Sequence, residues 1–374
     1  MTHDETGWFG GRRRFFGMAA AFCIVAALLV AGCGGDDDDD SGTSAATSTG
    51  ESTSAASKEA KLGAALLGPK NDQSINQAGY LGIQAAVKAN PNIKLTAVLD
   101  NQATAQKQAN AVQTLAPNND IVYVLSNAFS PVLDTDAERF PKAKFIGMEA
   151  YTKNFHDNVY AAAVDWGASS YVAGVLAGHM TKTNVIGFIG GAEIPPTVQS
   201  KNAYTQGAKS VNPKVKVLTN ITGNFADVAL GKQATAAMLQ QNADVILPWL
   251  DAGVVGAYQA GKESGKNPAM FKLTIPDCGA YPNIVGTEAV NTVAITKTLI
   301  EKVAAGTAKP GAAFIGLQDP KLQTLALCPK YRENKEIADL TKKTIDDVNS
   351  GKIKLQENAL NPRPSYDYTE GLGD

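Results

Sequence analysis

Val215-Lys216-Val217-Leu218-Thr219-Asn220-Ile221 is an extended, β-branched run, and Val245-Ile246-Leu247-Pro248-Trp249-Leu250 is a second that is almost wholly apolar. Between them Ala229, Ala234, Ala237, Met238 and Leu239 recur at helical spacing. A strand, a helix and a strand apolar on both faces form one crossover unit of a parallel sheet. The pattern extends in both directions. Further strands are expected at 62–67, 93–99, 121–125, 144–148, 185–189 and 271–275. Another helix is expected where Ile75, Ala78, Leu81, Ile83, Ala86 and Val87 share a face. The alternation predicts an α/β fold with doubly wound parallel sheets.

Two irregularities divide this pattern. An extra extended piece at 159–164 precedes a helix at 169–180. Late in the chain, 292–296 reads as extended and leads into a helix at 297–305. Extended runs at 313–317 and 323–327 then precede a closing helix at 334–348. Two open sheets joined by three chain crossings account for both. The expected lobes are 58–164 with 297–318, and 165–296 with 319–374. Ligands of open α/β sheets bind beyond the carboxyl ends of the strands, so two facing edges make a cleft that closes by hinge bending.

The N-terminus has the three parts of an export signal, expected at 1–32. Arg12, Arg13 and Arg14 are its basic region, and 18–31 is an apolar core too short for a spanning helix of about 20 residues. Leu29-Val30-Ala31-Gly32-Cys33 resembles a bacterial lipoprotein processing site, which would leave Cys33 as a lipidated N-terminus. Arg12-Arg13-Arg14-Phe15-Phe16 also resembles the twin-arginine export motif, so two export routes stay open. From 33 to 57 the chain carries Asp36 to Asp40 and then mostly small polar residues. Such a segment buries too little surface to offset its ordering entropy and reads as a tether.

The chain has 374 residues, 19% of them charged, and a net charge of −2. The five tether aspartates exceed that sum, so the body is slightly basic at most and has no stripe suited to nucleic acid. With Cys33 lipidated, Cys278 and Cys328 remain either as a disulfide or as two thiols. The segment from Gly256 to Lys262 has P-loop spacing, but Glu263 stands where Ser or Thr must reach magnesium. No Cys/His cluster at zinc spacing and no nucleophile elbow occurs in the sequence. The sequence therefore recommends no enzyme, cofactor or metal.

The body resembles the basic membrane protein family of ABC-transporter solute-binding lipoproteins, of the purine nucleoside-binding type, over about 62–354. The resemblance is carried by YVAGVLAG (171–178), MTKT (180–183), VIGFIGG (185–191), AYTQGAK (203–209), NDQSINQ (71–77), FAD (225–227), ADVI (243–246) and TVAITK (292–297). It implies two lobes of the type I periplasmic-binding kind joined by a three-crossover hinge. It also implies a monomer that is lipid-anchored outside the cytoplasm and hands a small polar ligand to a membrane permease.

Carried over residue by residue, the resemblance implies ligand contacts at Asp72, Asn76, Tyr80, Phe225, Asp251, Gly253, Asp277 and Lys297. Phe225 would stack on a base, the carboxylates would accept from sugar hydroxyls, and Lys297 would bridge the lobes at the late crossing. Ile75 departs from the family, which usually carries Phe there, and one stacking ring worth about 1–3 kcal/mol is lost. Tyr80, Phe129, Trp166 and Trp249 are the rings that could replace it. A sugar-like solute, or a sensor that shows its bound state to a membrane receptor, are the alternative readings.

Overall fold

Ile121-Val122-Tyr123-Val124-Leu125 is buried at every position, as a strand covered by helices on both faces must be. In the computed structural model it is one of six strands in the first of two sheets. Residues 59–72, 74–150 and 156–355 are described. The signal, Cys33, the tether and the stretch from 356 lie outside them. The chain separates into Met1–Ala55 and Ala56–Asp374, and every element below belongs to the second unit.

The first half runs β1 (Ala60–Leu66), α1 (Ile75–Ala89), β2 (Ile93–Leu99), α2 (Ala105–Leu115), β3 (Ile121–Leu125), α3 (Ser130–Asp136), β4 (Lys144–Met148) and β5 (Val159–Val164). The second runs α4 (Trp166–Met180), β6 (Val185–Gly190), α5 (Pro195–Val211), β7 (Lys216–Ile221), α6 (Val228–Gln240), β8 (Val245–Trp249), α7 (Val254–Glu263), β9 (Ala269–Thr274) and β10 (Ile284–Val290). The chain ends with α8 (Thr292–Ala305), β11 (Gly311–Ile315), β12 (Gln323–Leu327), α9 (Pro329–Arg332) and α10 (Lys335–Asn349).

The first sheet has the order β11-β5-β4-β3-β1-β2 and the second β12-β10-β9-β8-β6-β7. All pairings are parallel except β10 with β12. Each sheet reverses its strand order once, beside β1 and β3 in one and beside β6 and β8 in the other. Those switch points are where an open α/β sheet leaves a crevice. Pro248 sits in a central strand although it has no N–H to donate. The sheet tolerates it because β8 pairs with β9 only at Val245 and Ile246 and has parted from it before Pro248.

The late crossing corrects the sequence reading. Residues 292–296 were expected to be extended, because Thr, Val and Ile favour strands. They are instead the first turns of α8, with Asn291 as N-cap accepting from Ala294 N at 3.1 Å. Thr292, Ile295, Thr296, Leu299 and Ile300 are buried, a helical stripe that tertiary packing enforces over local preference. The strand lies earlier, at β10. Helix α8 packs on α1 so closely that a Cβ on Gly82 would stand 2.6 Å from Thr296 Cβ. The chain thus crosses back to the first sheet at Asn291, and Lys297 lies more than a turn inside α8 rather than at the crossing.

In the second lobe α4 and α5 touch backbone to backbone. A Cβ on Gly174 would come within 2.1 Å of the Tyr204 carbonyl oxygen, and one on Gly207 within 2.2 Å of that of Tyr171. Cys278, in the loop after β9, is joined to Cys328 at the end of β12, with Cα atoms 5.7 Å apart. Among the described residues no helix is long and apolar enough to cross a membrane.

Candidate functional site

The carboxyl ends of β1, β3, β4, β8 and β9 face one cavity of about 90 Å³. The first sheet contributes Leu67 after β1, Ile75 and Asn76 on α1, Ser126 and Asn127 after β3, and Glu149 after β4. The second contributes Ile194 and Pro196 at the start of α5, Phe225 after β7, Trp249 to Asp251, and Leu273 and Thr274. Trp166, at the head of α4, closes it.

Backbone strain marks the same place. Among the described residues, seven non-glycine residues have positive φ, and four of them are asparagines, the type that tolerates it best. The other three are Ser126 (φ 121°), Glu149 (φ 60°) and Thr274 (φ 64°), and all three line this cavity. A β-branched threonine in the left-handed region is costly and persists only where surrounding structure holds it there.

Aromatic rings form a chain along the wall. Trp249 meets Trp166 edge to face with centroids 5.5 Å apart and Phe225 at 6.0 Å. Phe225 is seated against Gly191, where an added Cβ would lie 2.1 Å from its ring. Backbone N–H groups of Asp251 and Gly253 both donate to Phe225 O at 3.0 Å. Gly253 therefore supports the Phe225 loop rather than lining the cavity.

Glu149 is the deepest carboxyl of the site, 5% exposed. Trp166 Nε1 donates to its Oε2 at 3.0 Å, while its Oε1 is buried without a partner. Burial pushes its pKa up to about 8, against the opposing effect of the Trp166 bond. Across the cavity, Asp251 Oδ1 accepts from Ser74 Oγ at 2.8 Å, a bond between the lobes. Burial raises the Asp251 pKa to about 6, the Ser74 bond opposes the rise, and the charge of nearby Asp72 adds to it.

Asp251 also lines an outer cavity of about 710 Å³. Asp72, Gln77, Tyr258, Lys262, Lys272 and Asp277 are among its walls. Asp72 caps α1 there, accepting from Ser74 N at 2.9 Å, Gln77 N at 3.0 Å and Asn76 Nδ2 at 2.7 Å. Asn76 in turn accepts from Gly68 N at 3.1 Å. Asp277 is exposed and accepts from Gly279 N in a local turn at 2.9 Å.

A family model described as ABC transporter substrate-binding protein PnrA-like (Bmp) matches residues 60–355. The chain belongs to the Bmp family. The ABC transporter nucleoside-binding protein BmpA of Lactococcus lactis is 32% identical over 53% of this chain and 58% of its own length. A purine-binding protein of Brucella abortus is 27% identical over 59% of this chain and 64% of its own. The aligned part thus spans less than two thirds of either relative. Among solved structures, an ABC-transporter solute-binding protein of Aeropyrum pernix superposes with a TM-score of 0.70 at 19% identity. That match covers 82% of this chain and 94% of the other. It establishes the fold, two α/β lobes of the type I periplasmic-binding kind.

Within this Bmp chain the structure gathers Asn76, Phe225 and Asp251 at the inner cavity and Asp72, Asp251 and Asp277 at the outer one. Tyr80 lines neither, and the Lys70 ammonium lies 5.5 Å from its ring centroid. Lys297 lines neither and pairs with Glu301 at 2.7 Å. Of the rings that could replace the one missing at Ile75, Trp166 and Trp249 reach the cavity, whereas Phe129 is wholly buried outside it. Sequence reasoning missed Glu149, Ser126 and Thr274. The available signal for Glu149 was an acid directly after the apolar run Phe145–Met148, where a strand hands over to its loop.

Proposed function

We propose that this Bmp-family chain is a lipid-anchored, extracytoplasmic solute-binding protein that carries a purine nucleoside to an ABC importer. One observation carries the ligand class: an aromatic inner cavity meets a polar outer cavity at Asp251. The inner walls of Trp166, Trp249 and Phe225 suit a flat heteroaromatic ring, for which stacking contributes about 1–3 kcal/mol per base. Asp251, with Asp72 and Asp277 beyond it, suits a hydroxylated substituent, because ionised carboxylates only accept. The names of the Lactococcus and Brucella relatives favour the same class.

The interlobe bond between Ser74 and Asp251 supports closure around the solute, since it forms only when the lobes meet. Cys33 is the proposed anchor, which keeps the protein beside its permease. Equilibrium dialysis against inosine, guanosine, adenosine and ribose tests the ligand class. Saturable retention of the nucleosides, recovered unchanged, is the expected result. Retention of ribose alone would favour a sugar binder, and recovery of free base would favour a hydrolase.

A further inference from the structure

We propose that Glu149 meets the solute as a neutral hydrogen-bond donor. The inner cavity would then select a ring that presents an acceptor, a carbonyl oxygen or an unprotonated ring nitrogen, at that wall. This rests on the nucleoside reading above and extends it to the edge of the base.

The geometry points there in three steps. Glu149 is 5% exposed, and it shares the cavity wall with the apolar and aromatic Ile75, Trp166, Trp249 and Leu273 and with the uncharged polar Ser126 and Asn127. None of the ion pairs among the described residues includes it. Among the described residues, the titratable groups set against it are Tyr123 on β3 and, on the facing lobe, Asp251, which lines the same cavity, and neither is a cation. Tyr123 is itself tied to Thr296 on α8 at 2.9 Å. A lone carboxylate in such surroundings is strongly disfavoured, so the group is held as the acid.

The proton's place follows from the bonds. Oε2 already accepts the Trp166 N–H, and Oε1 is the oxygen without a partner. The acid proton on Oε1 is the one free to bond a solute. Burial that lifts the pKa to about 8 agrees with this state at neutral pH. Asp251, lifted only to about 6, is ionised there and accepts from Ser74. One cavity thus holds two carboxyls in opposite states, a donor facing an acceptor, as environments that separate two pKa values produce.

Two measurements on the full chain test this. A carboxyl whose folded pKa is raised contributes stability below its unfolded value near 4.5, and that contribution is lost as pH rises through about 8. Without ligand, the melting temperature of wild type should therefore fall progressively below that of Glu149→Gln from pH 5 to 8. Parallel curves would mean an ionised Glu149 and would overturn the proposal. With inosine as the probe, wild-type affinity should hold to about pH 7.5 and drop about tenfold by pH 9. Glu149→Gln keeps an N–H donor and should lack that drop, whatever its absolute affinity. A wild-type profile flat through pH 8, or the same drop in both proteins, would overturn the proposal. Inosine that binds at no pH would instead overturn the nucleoside reading, and the melting curves would still decide the protonation state.

Discussion

Ser74 Oγ donates to Asp251 Oδ1 across the interlobe cleft at 2.8 Å. Ser74 precedes α1 of the first lobe, and Asp251 follows β8 of the second. The bond joins the two switch points and lies where the inner and outer cavities share a wall.

Ser74→Ala removes this link and leaves the half-buried Asp251 carboxylate one donor short. A hydrogen bond to a charged group is worth about 1.5–3 kcal/mol. Nucleoside affinity should fall by roughly tenfold or more, chiefly through faster dissociation, as stopped-flow release would show. An unchanged dissociation rate would mean that the bond does not hold the closed state.

Trp249→Ala and Phe225→Ala each remove a wall of the aromatic chain. The expected loss for either is about 1–3 kcal/mol of binding, read by calorimetry. Trp249 is 6% exposed, so its variant should also melt lower. Phe225, on a loop, should lose affinity with less loss of stability.

Lys297→Ala separates two placements of that lysine. The family resemblance implies a ligand contact, whereas the structure pairs its ammonium with Glu301 outside both cavities. An i,i+4 pair of this kind is worth about 0.3–0.5 kcal/mol. The expected result is an affinity within about threefold of wild type, and a loss of tenfold or more would return Lys297 to the site.

Cys278 and Cys328 close a loop of 50 residues. Cross-links of this span stabilise a chain by about 2–4 kcal/mol, mainly by restricting the unfolded state. Replacing both cysteines by serine should lower stability by that order in urea melts. The loop it secures carries Asp277 at the outer cavity, so a smaller loss of affinity for hydroxylated ligands should accompany it.

Glu288 is wholly buried in the second lobe, where Ser169 and Ser170 donate to it at 3.0–3.1 Å. Burial pushes its pKa up to about 8, and the serine bonds oppose the rise. Its stabilising contribution is present below about pH 4.5 and lost as pH rises through 8. Glu288→Gln should therefore melt progressively higher than wild type between pH 5 and 8, and a constant difference would show an ionised Glu288.

The α/β architecture was legible because parallel strands covered on both faces cannot hide their apolar runs; β3, β4, β5 and β12 fall where the composition placed them. The late crossing was not. Thr292-Val293-Ala294-Ile295-Thr296 carries strand propensity, and only packing against α1 makes it helical. At the site, Asn76, Phe225 and Asp251 were named through the family resemblance, and all three line the inner cavity. Glu149 was not, because an acid after a strand resembles any loop residue until the backbone is known. Its left-handed φ and its burial against Trp166 arise only when β4 and α4 are brought together. Of the four rings that the sequence offers in place of the one missing at Ile75, only Trp166 on α4 and Trp249 on β8 line the inner cavity, and their meeting there depends on elements distant in the chain.

The central claim, a purine nucleoside held among Trp166, Trp249 and Phe225, is tested most directly by tryptophan fluorescence. The chain has three tryptophans, and two of them line the inner cavity. Titration with inosine should quench emission saturably, with a midpoint matching the calorimetric affinity and a much smaller amplitude in Trp249→Phe. Calorimetric binding without any change in emission would place the ligand elsewhere, and no binding in either measurement would contradict the nucleoside assignment.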